Sequence, residues 1–260
     1  MRHGKYPFVI GFLFVPVTLY VVFVIAPYAQ AFQISMTNWR GLSAPQWVGF
    51  DNFRRLFDDD NFWKAVQHHG VLLLALPLIT IAIALLFSFL LNVGGKSSGG
   101  QRQGVWGSKF YRVVFFFPQV LAVAIIAVLV WQAVGFYVVL FSAGMASIPG
   151  EIYEAAEMDG ATRVTLFFRV TLPLLWDTLQ VAWVYLGIAA FDAFAIVSVL
   201  SVDGGGPDGA TTVLAMEIYR NAFVYSKYGY ASAMGVALFF LTLTFAALTL
   251  RLTKRESVEY

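Results

Sequence analysis

Ionisable side chains are scarce in this sequence, and the few places where they gather decide which chemistry is open to it. The triplet Asp58-Asp59-Asp60 has the ligand type for calcium or magnesium. Three adjacent carboxylates converge on one ion only in a shaped loop, so a solvated surface run is expected instead. His68 and His69 are neighbours and therefore point to different sides of a helix, which disfavours a shared metal and leaves an interfacial location. Gly94-Gly95-Lys96-Ser97 has the tail of a phosphate-binding loop, but the glycine required five positions before Gly95 is Leu90, and an apolar helix rather than a strand precedes it. No nucleotide site is expected in this chain. The apolar runs hold no cysteine, no His-Glu-x-x-His and no paired acids, so neither a nucleophile with its base nor a metal set is available for catalysis. The chain is expected to be no enzyme, with no catalytic residue, metal or cofactor of its own. Two polar features remain: Asp192, deep in an apolar run, and the polar island from Ile148 to Pro173.

The elements that must position these residues follow from composition. Of 260 residues, 59% are hydrophobic and 12% charged, with mean hydropathy +0.73, well outside the range of soluble domains. Several runs exceed the ~20 residues that cross a bilayer as helix, so the fold class is all-α, a polytopic membrane protein. Ala29-Gln30-Ala31 mimics a signal-peptidase site, yet the run from Phe8 to Ala26 is long, contains Pro16 and is expected to be retained as the first span, with Pro27 near its outer end. The aromatic-rich stretch from Ala31 to Lys64 suits an interfacial layer. The loop from Gly94 to Arg112 carries Lys96, Arg102, Lys109 and Arg112 and no acid, and Arg251, Lys254 and Arg255 mark the C-terminus, so both are expected to be cytoplasmic.

The stretch Val113 to Ile148 is apolar almost throughout and as one helix would be roughly 50 Å long, against a ~30 Å hydrocarbon core. Counted once it gives five spans and a basic C-terminus outside. Counted twice it gives six transmembrane helices with both termini inside, and this is the reading adopted, with a connector missing near Trp131-Gln132. The expected spans are about 7–29, 66–93, 113–131, 132–147, 174–200 and 231–252 in a single membrane domain over residues 1–260.

Between the fourth and fifth spans, Pro149 suits a first helical turn, Glu151 and Glu154 complement its positive end, and Gly160 can adopt the left-handed backbone that stops it. A second short helix begins near Ala161 or Thr162, carries Val164, Phe167 and Phe168 on one face, and is expected to end before Pro173. Residues 148–173 thus form a helix-Gly-helix hairpin.

These residues carry a resemblance. Glu154-Ala155-Ala156, Gly160, and then Val170, Leu172 and Pro173 resemble the EAA loop in the membrane subunits of binding-protein-dependent ABC importers, with Val170 where isoleucine is usual. Trp47-Val48-Gly49-Phe50-Asp51-Asn52-Phe53, Gly204-Gly205-Gly206-Pro207 and Tyr228-Gly229-Tyr230-Ala231-Ser232-Ala233 are similar to segments of the carbohydrate, maltose-type permeases. The resemblance implies a cytoplasmic coupling loop, with Glu154, Ala155, Ala156, Asp159 and Gly160 meeting an ATPase. It implies a second permease subunit, two ATPase subunits that bind ATP and Mg, an extracytoplasmic solute-binding protein, membrane lipid and a sugar as partners, and no nucleic acid. The setting it implies is the cytoplasmic (inner) membrane of a bacterium or archaeon. The substrate it favours is a di- or oligosaccharide of trehalose or maltose type, or glycerol phosphate, carried by alternating access in a type I importer.

Rivals are an ABC permease for a non-sugar solute and, with less support, an ion-gradient-driven secondary transporter, for which Asp192 is the one candidate ligand. For the solute path, Asp192 and Gln119 are expected to line a cavity, because buried polar groups need partners. Phe191 and Phe194, three apart on one helix face, are expected to pack or gate.

Overall fold

The computed structural model describes residues 5–92, 97–98, 101–102, 125–201, 206 and 209–253. Four described helices are long and apolar enough to cross a membrane: Gly11–Ser35, Asp60–Asn92, Ile125–Ser147 and Tyr228–Thr253. A pair of helices, Arg163–Leu174 and Trp176–Phe191, bent by 73°, has the length and apolar content for a fifth crossing only when the two are taken together. Apart from a two-residue antiparallel ladder, Ser97–Ser98 with Gln101–Arg102, the named elements among the described residues are helical. The chain divides into two compact units, residues 1–66 with 214–241 and residues 67–213 with 242–260.

In the first unit the N-terminal helix runs on to Ser35 rather than ending near Pro27, because a π-turn at Val21–Ile25 lies just before that proline. The ring of Pro27 would clash with the carbonyl of Phe23 in a regular α-turn, and the wider π-turn accommodates it. The chain then pairs Thr37 with Trp47 in an isolated bridge, and the buried Asn52 donates from Nδ2 to the carbonyls of Ser35 and Thr37, 2.8 Å each. A core of Leu56, Phe62, Ala65, Leu214, Ala233 and Met234 sits beneath. Gly229 lets its helix approach the Thr37 carbonyl so closely that a Cβ would collide with it, and its N–H donates to the Trp39 carbonyl at 3.1 Å. The acidic triplet is solvated at Asp58 and Asp60, whereas half-buried Asp59 accepts a bond from the Tyr230 hydroxyl and caps the helix Asp60–Asn92 through the N–H of Asn61 at 2.9 Å.

In the second unit the expected boundary at Trp131-Gln132 is absent. Ile125–Ser147 is one uninterrupted helix through that point, with Val130, Val134, Tyr137, Val138 and Phe141 buried. Neither proline nor a polar turn interrupts those residues, so nothing in them ends the backbone ladder. The separate spans 113–131 and 132–147 are replaced by this helix, and residues 113–124 lie outside the described residues. A polar cluster joins it to the helix Asp60–Asn92: Ser88 and Ser142 hydroxyls are 3.0 Å apart, and Asn92 Nδ2 donates to Ser142 Oγ at 3.0 Å. Such groups serve as glue between helices where apolar packing alone does not discriminate. Gly187 lies against the ring of Phe245, at a spot a Cβ would occupy.

Candidate functional site

The polar island folds as two short helices around a glycine. Gly150–Met158 has Pro149 at its N-cap, extended with φ −56° and ψ 136°, and Glu151 in its first turn. Its C-terminus is a Schellman motif: Gly160 N–H donates to the Glu157 carbonyl at 2.9 Å, and Ala161 N–H to the Ala156 carbonyl at 3.0 Å. Gly160 has φ +82°, the left-handed backbone a side chain disfavours. Thr162 caps the second helix, its Oγ1 accepting from the Thr165 N–H at 3.3 Å. Tyr153 and Thr171 are both buried, and their hydroxyls, 3.2 Å apart, bolt one arm of the hairpin to the other.

The second arm does not end before Pro173. After Arg163–Leu166 comes a π-turn at Phe167–Thr171, and the helix passes through Pro173 to Leu174. The π-turn again stands just before a proline, as at Pro27, and relieves the same clash with the carbonyl four residues back. The break comes at Leu175, where the chain turns through 73° into Trp176–Phe191. Trp176 Nε1 donates to the Thr253 carbonyl at 2.8 Å and Gln180 Nε2 to that of Leu250 at 3.3 Å, fixing the start of this helix to the end of the C-terminal one.

Of the residues expected to meet an ATPase, Glu154, Ala155, Asp159 and Gly160 are exposed and Ala156 is half-buried. They lie on one short helix and its stop, with Met158 at 88% and Val164 at 67% exposure beside them. An acidic, small-residue ridge flanked by bare apolar side chains is a surface that a protein partner can approach to backbone distance.

The expected solute-path residues fall around a second break. The fifth span is not continuous to Leu200: Trp176–Phe191 stops, Asp192 and Ala193 leave helical geometry (φ −99°, ψ 39° and φ −86°, ψ 9°), and Phe194–Leu200 starts afresh. Asp192 is exposed at this break. Phe191 is buried against the rings of His69 at 5.1 Å and Phe245 at 6.1 Å, while Phe194 is half-buried. Gln119 lies outside the described residues.

The sequence placed the two histidines on different sides of a helix but did not reveal their partners. His69 is buried, and its Nδ1 lies 3.1 Å from the Ala190 carbonyl; His68 Nδ1 lies 2.7 Å from that of Thr212. A carbonyl only accepts, so Nδ1 carries the hydrogen in both rings. The adjacency that pointed the rings apart was legible, but their partners, 121 and 144 residues away, were not.

The chain matches the family described as binding-protein-dependent transport system inner membrane component over residues 66–258. It is 38% identical to the diacetylchitobiose uptake system permease protein NgcF of Streptomyces coelicolor, across 95% of this chain and 82% of that protein. It is 32% identical to the multiple sugar-binding transport system permease protein MsmF of Streptococcus mutans, across 95% of each. The NgcF alignment spans 293 positions but takes in 95% of 260 residues here, about 247, so about 46 positions of the relative face gaps in this chain. A chain in the crystal structure of a bacterial alginate ABC transporter, in complex with alginate pentasaccharide-bound periplasmic protein, has the same fold, with TM-score 0.71 at 19% identity over 96% of this chain and 95% of that one. The apolar helices and these matches agree: the chain belongs to the binding-protein-dependent transport system inner membrane components, as a multi-pass permease of the sugar ABC importer type.

Proposed function

We propose that this permease forms half of the translocation path for a di- or oligosaccharide and is driven by cytoplasmic ATPases that dock on the hairpin 148–173. The observation that carries the reading is the ridge Glu154-Ala155-Ala156, exposed at its first two residues and joined to the next helix by the left-handed Gly160 and the Tyr153–Thr171 contact. Glu154 offers a carboxylate to a basic group of the ATPase, and the two alanines admit its surface. Closure of the ATPases around ATP and Mg then moves the hairpin, and the crossings rock about it to present the path outward and inward in turn. A second permease completes the path and an extracytoplasmic solute-binding protein delivers the sugar. Asp192, at a helix break beside the path, supplies a hydrogen-bonding group to it, together with Gln119.

The substrate class rests on the similarity to NgcF and MsmF, which are named for diacetylchitobiose and multiple sugars. This reading requires six crossings, one more than the described residues supply at most, so that the basic loop 94–112, the hairpin and the C-terminus share the cytoplasmic face. The test is co-purification with identification of the bound subunits, followed by ATP-dependent uptake of radiolabelled maltose, trehalose and diacetylchitobiose into proteoliposomes. ATP-dependent uptake of a sugar is expected. Uptake driven by an ion gradient without an ATPase would overturn the proposal.

A further inference from the structure

The first unit contains an open polar cavity of about 660 Å³, bounded by the turn after the first helix, the acidic triplet and the segment that leads into the C-terminal helix. Its volume falls within the about 300–1,000 Å³ of ordinary ligand pockets. Four basic and four acidic side chains line it, so it has no net charge with which to select an ion. Two asparagines in its wall are buried and held from behind. Asn52 Nδ2 donates to the carbonyls of Ser35 and Thr37, and Asn221 Nδ2 to that of Glu217 at 2.9 Å. Both amide nitrogens are thus engaged inward, and among the described residues neither side-chain oxygen has a donor, which leaves two preorganised acceptors for the cavity.

The wall also has an aromatic face. Half-buried Trp39 rests on Tyr228 at 5.1 Å, which holds the indole in place while it lines the cavity. Arg55 and Asp58 are exposed at the rim and add planar groups that donate to or accept from hydroxyls in pairs. Fixed acceptors, paired polar groups and one aromatic plate suit a ligand dense in hydroxyls with an apolar ring face.

We infer that this cavity, which Asp192 does not line, is a second carbohydrate subsite that takes a neutral di- or oligosaccharide. The inference rests on the proposal that the permease transports sugar, and it adds a place where sugar is held outside the apolar crossings.

The test uses the whole importer, with both permeases and the ATPases, in nanodiscs without its solute-binding protein. Binding of maltose, trehalose and diacetylchitobiose, each added alone, is followed by saturation-transfer NMR for wild type, Trp39→Ala and Arg55→Ala. The expected result is direct binding of the sugar that is taken up, weakened about ten-fold by Trp39→Ala and about three-fold by Arg55→Ala. Because Arg55 is at the exposed rim, its variant remains informative if Trp39→Ala fails to assemble. Undiminished binding in Arg55→Ala, with wild-type uptake intact, overturns the subsite alone. Weaker association of the unliganded solute-binding protein, with sugar binding unchanged, also overturns it and makes the cavity a protein-docking feature. Absence of ATP-dependent uptake of any sugar by the wild type overturns the subsite and the proposed function together.

Discussion

The imidazole of His69 donates to the carbonyl of Ala190, Nδ1 to oxygen 3.1 Å, at the last turn before the chain leaves helical geometry. In a continuous helix that carbonyl would accept from the N–H of Phe194. The break at Asp192 and Ala193 removes this partner, and the histidine takes its place in a buried setting. His69→Leu is therefore expected to lower stability by about 1–3 kcal/mol through an unsatisfied carbonyl, and His69→Gln by less, since its amide can still donate. Thermal unfolding of the purified complex in detergent measures both. Equal losses would mean that ring packing on Phe191, and not the hydrogen bond, accounts for the histidine.

The hairpin should tolerate insertion but not a change of shape. Gly160→Leu forces a side chain into the left-handed region at a cost of roughly 1–2 kcal/mol, and Glu154→Lys reverses the charge on the ridge. Both variants are expected in the membrane at wild-type level, with sugar-stimulated ATPase activity reduced at least about five-fold. Tyr153→Phe removes the bolt to Thr171 at about 0.5–1.5 kcal/mol and should reduce transport more than ATP hydrolysis. Wild-type transport in all three would take the hairpin out of the mechanism.

Gly187→Ala brings a methyl group into the ring of Phe245 and should destabilise by about 1–3 kcal/mol. Phe245→Leu in the same chain opens room for it. A double variant more stable than Gly187→Ala alone is the expected outcome of a thermal melt, and strictly additive losses would show that the contact is not the cause.

Because the chain has no cysteine, topology can be read one introduced thiol at a time. Ser97→Cys and Ser257→Cys are expected to react with an impermeant maleimide only from the cytoplasmic side, and Ser43→Cys only from the opposite side. Labelling of Ser97→Cys from outside would invert the charge-based orientation.

The geometry of the hairpin was readable because its determinants are local. Pro149, Gly160 and Thr162 set the hairpin by their own backbone preferences and neighbouring hydrogen bonds, which is why the glycine turn stands where the residues imply. Long-range contacts left no such mark. Phe191-Asp192-Ala193-Phe194 contains neither glycine nor proline, and the helix break there is held by a histidine 121 residues away. The passage of helices through Pro27 and Pro173 was unread for another reason: a π-turn before each proline adds one residue to the turn, which a regular 3.6-residue period does not anticipate. The length of Ile125–Ser147 was misjudged because apolar content alone does not say where one crossing stops.

The 73° bend at Leu175 makes the chain on either side of it a bell crank. The hairpin arm from Arg163 to Leu174 is twelve residues, roughly 18 Å, and Trp176–Phe191 is 16 residues, roughly 24 Å. A push of about 1 Å on the free end of the short arm is a rotation of about 3°, which swings the far end of the long arm by about 1.3 Å. That far end is Phe191, packed on His69, one residue before the break. Under the proposed coupling, a push at the exposed hairpin is the input and the gap at Asp192 the output, with the tip moving farther than the hand that turns it.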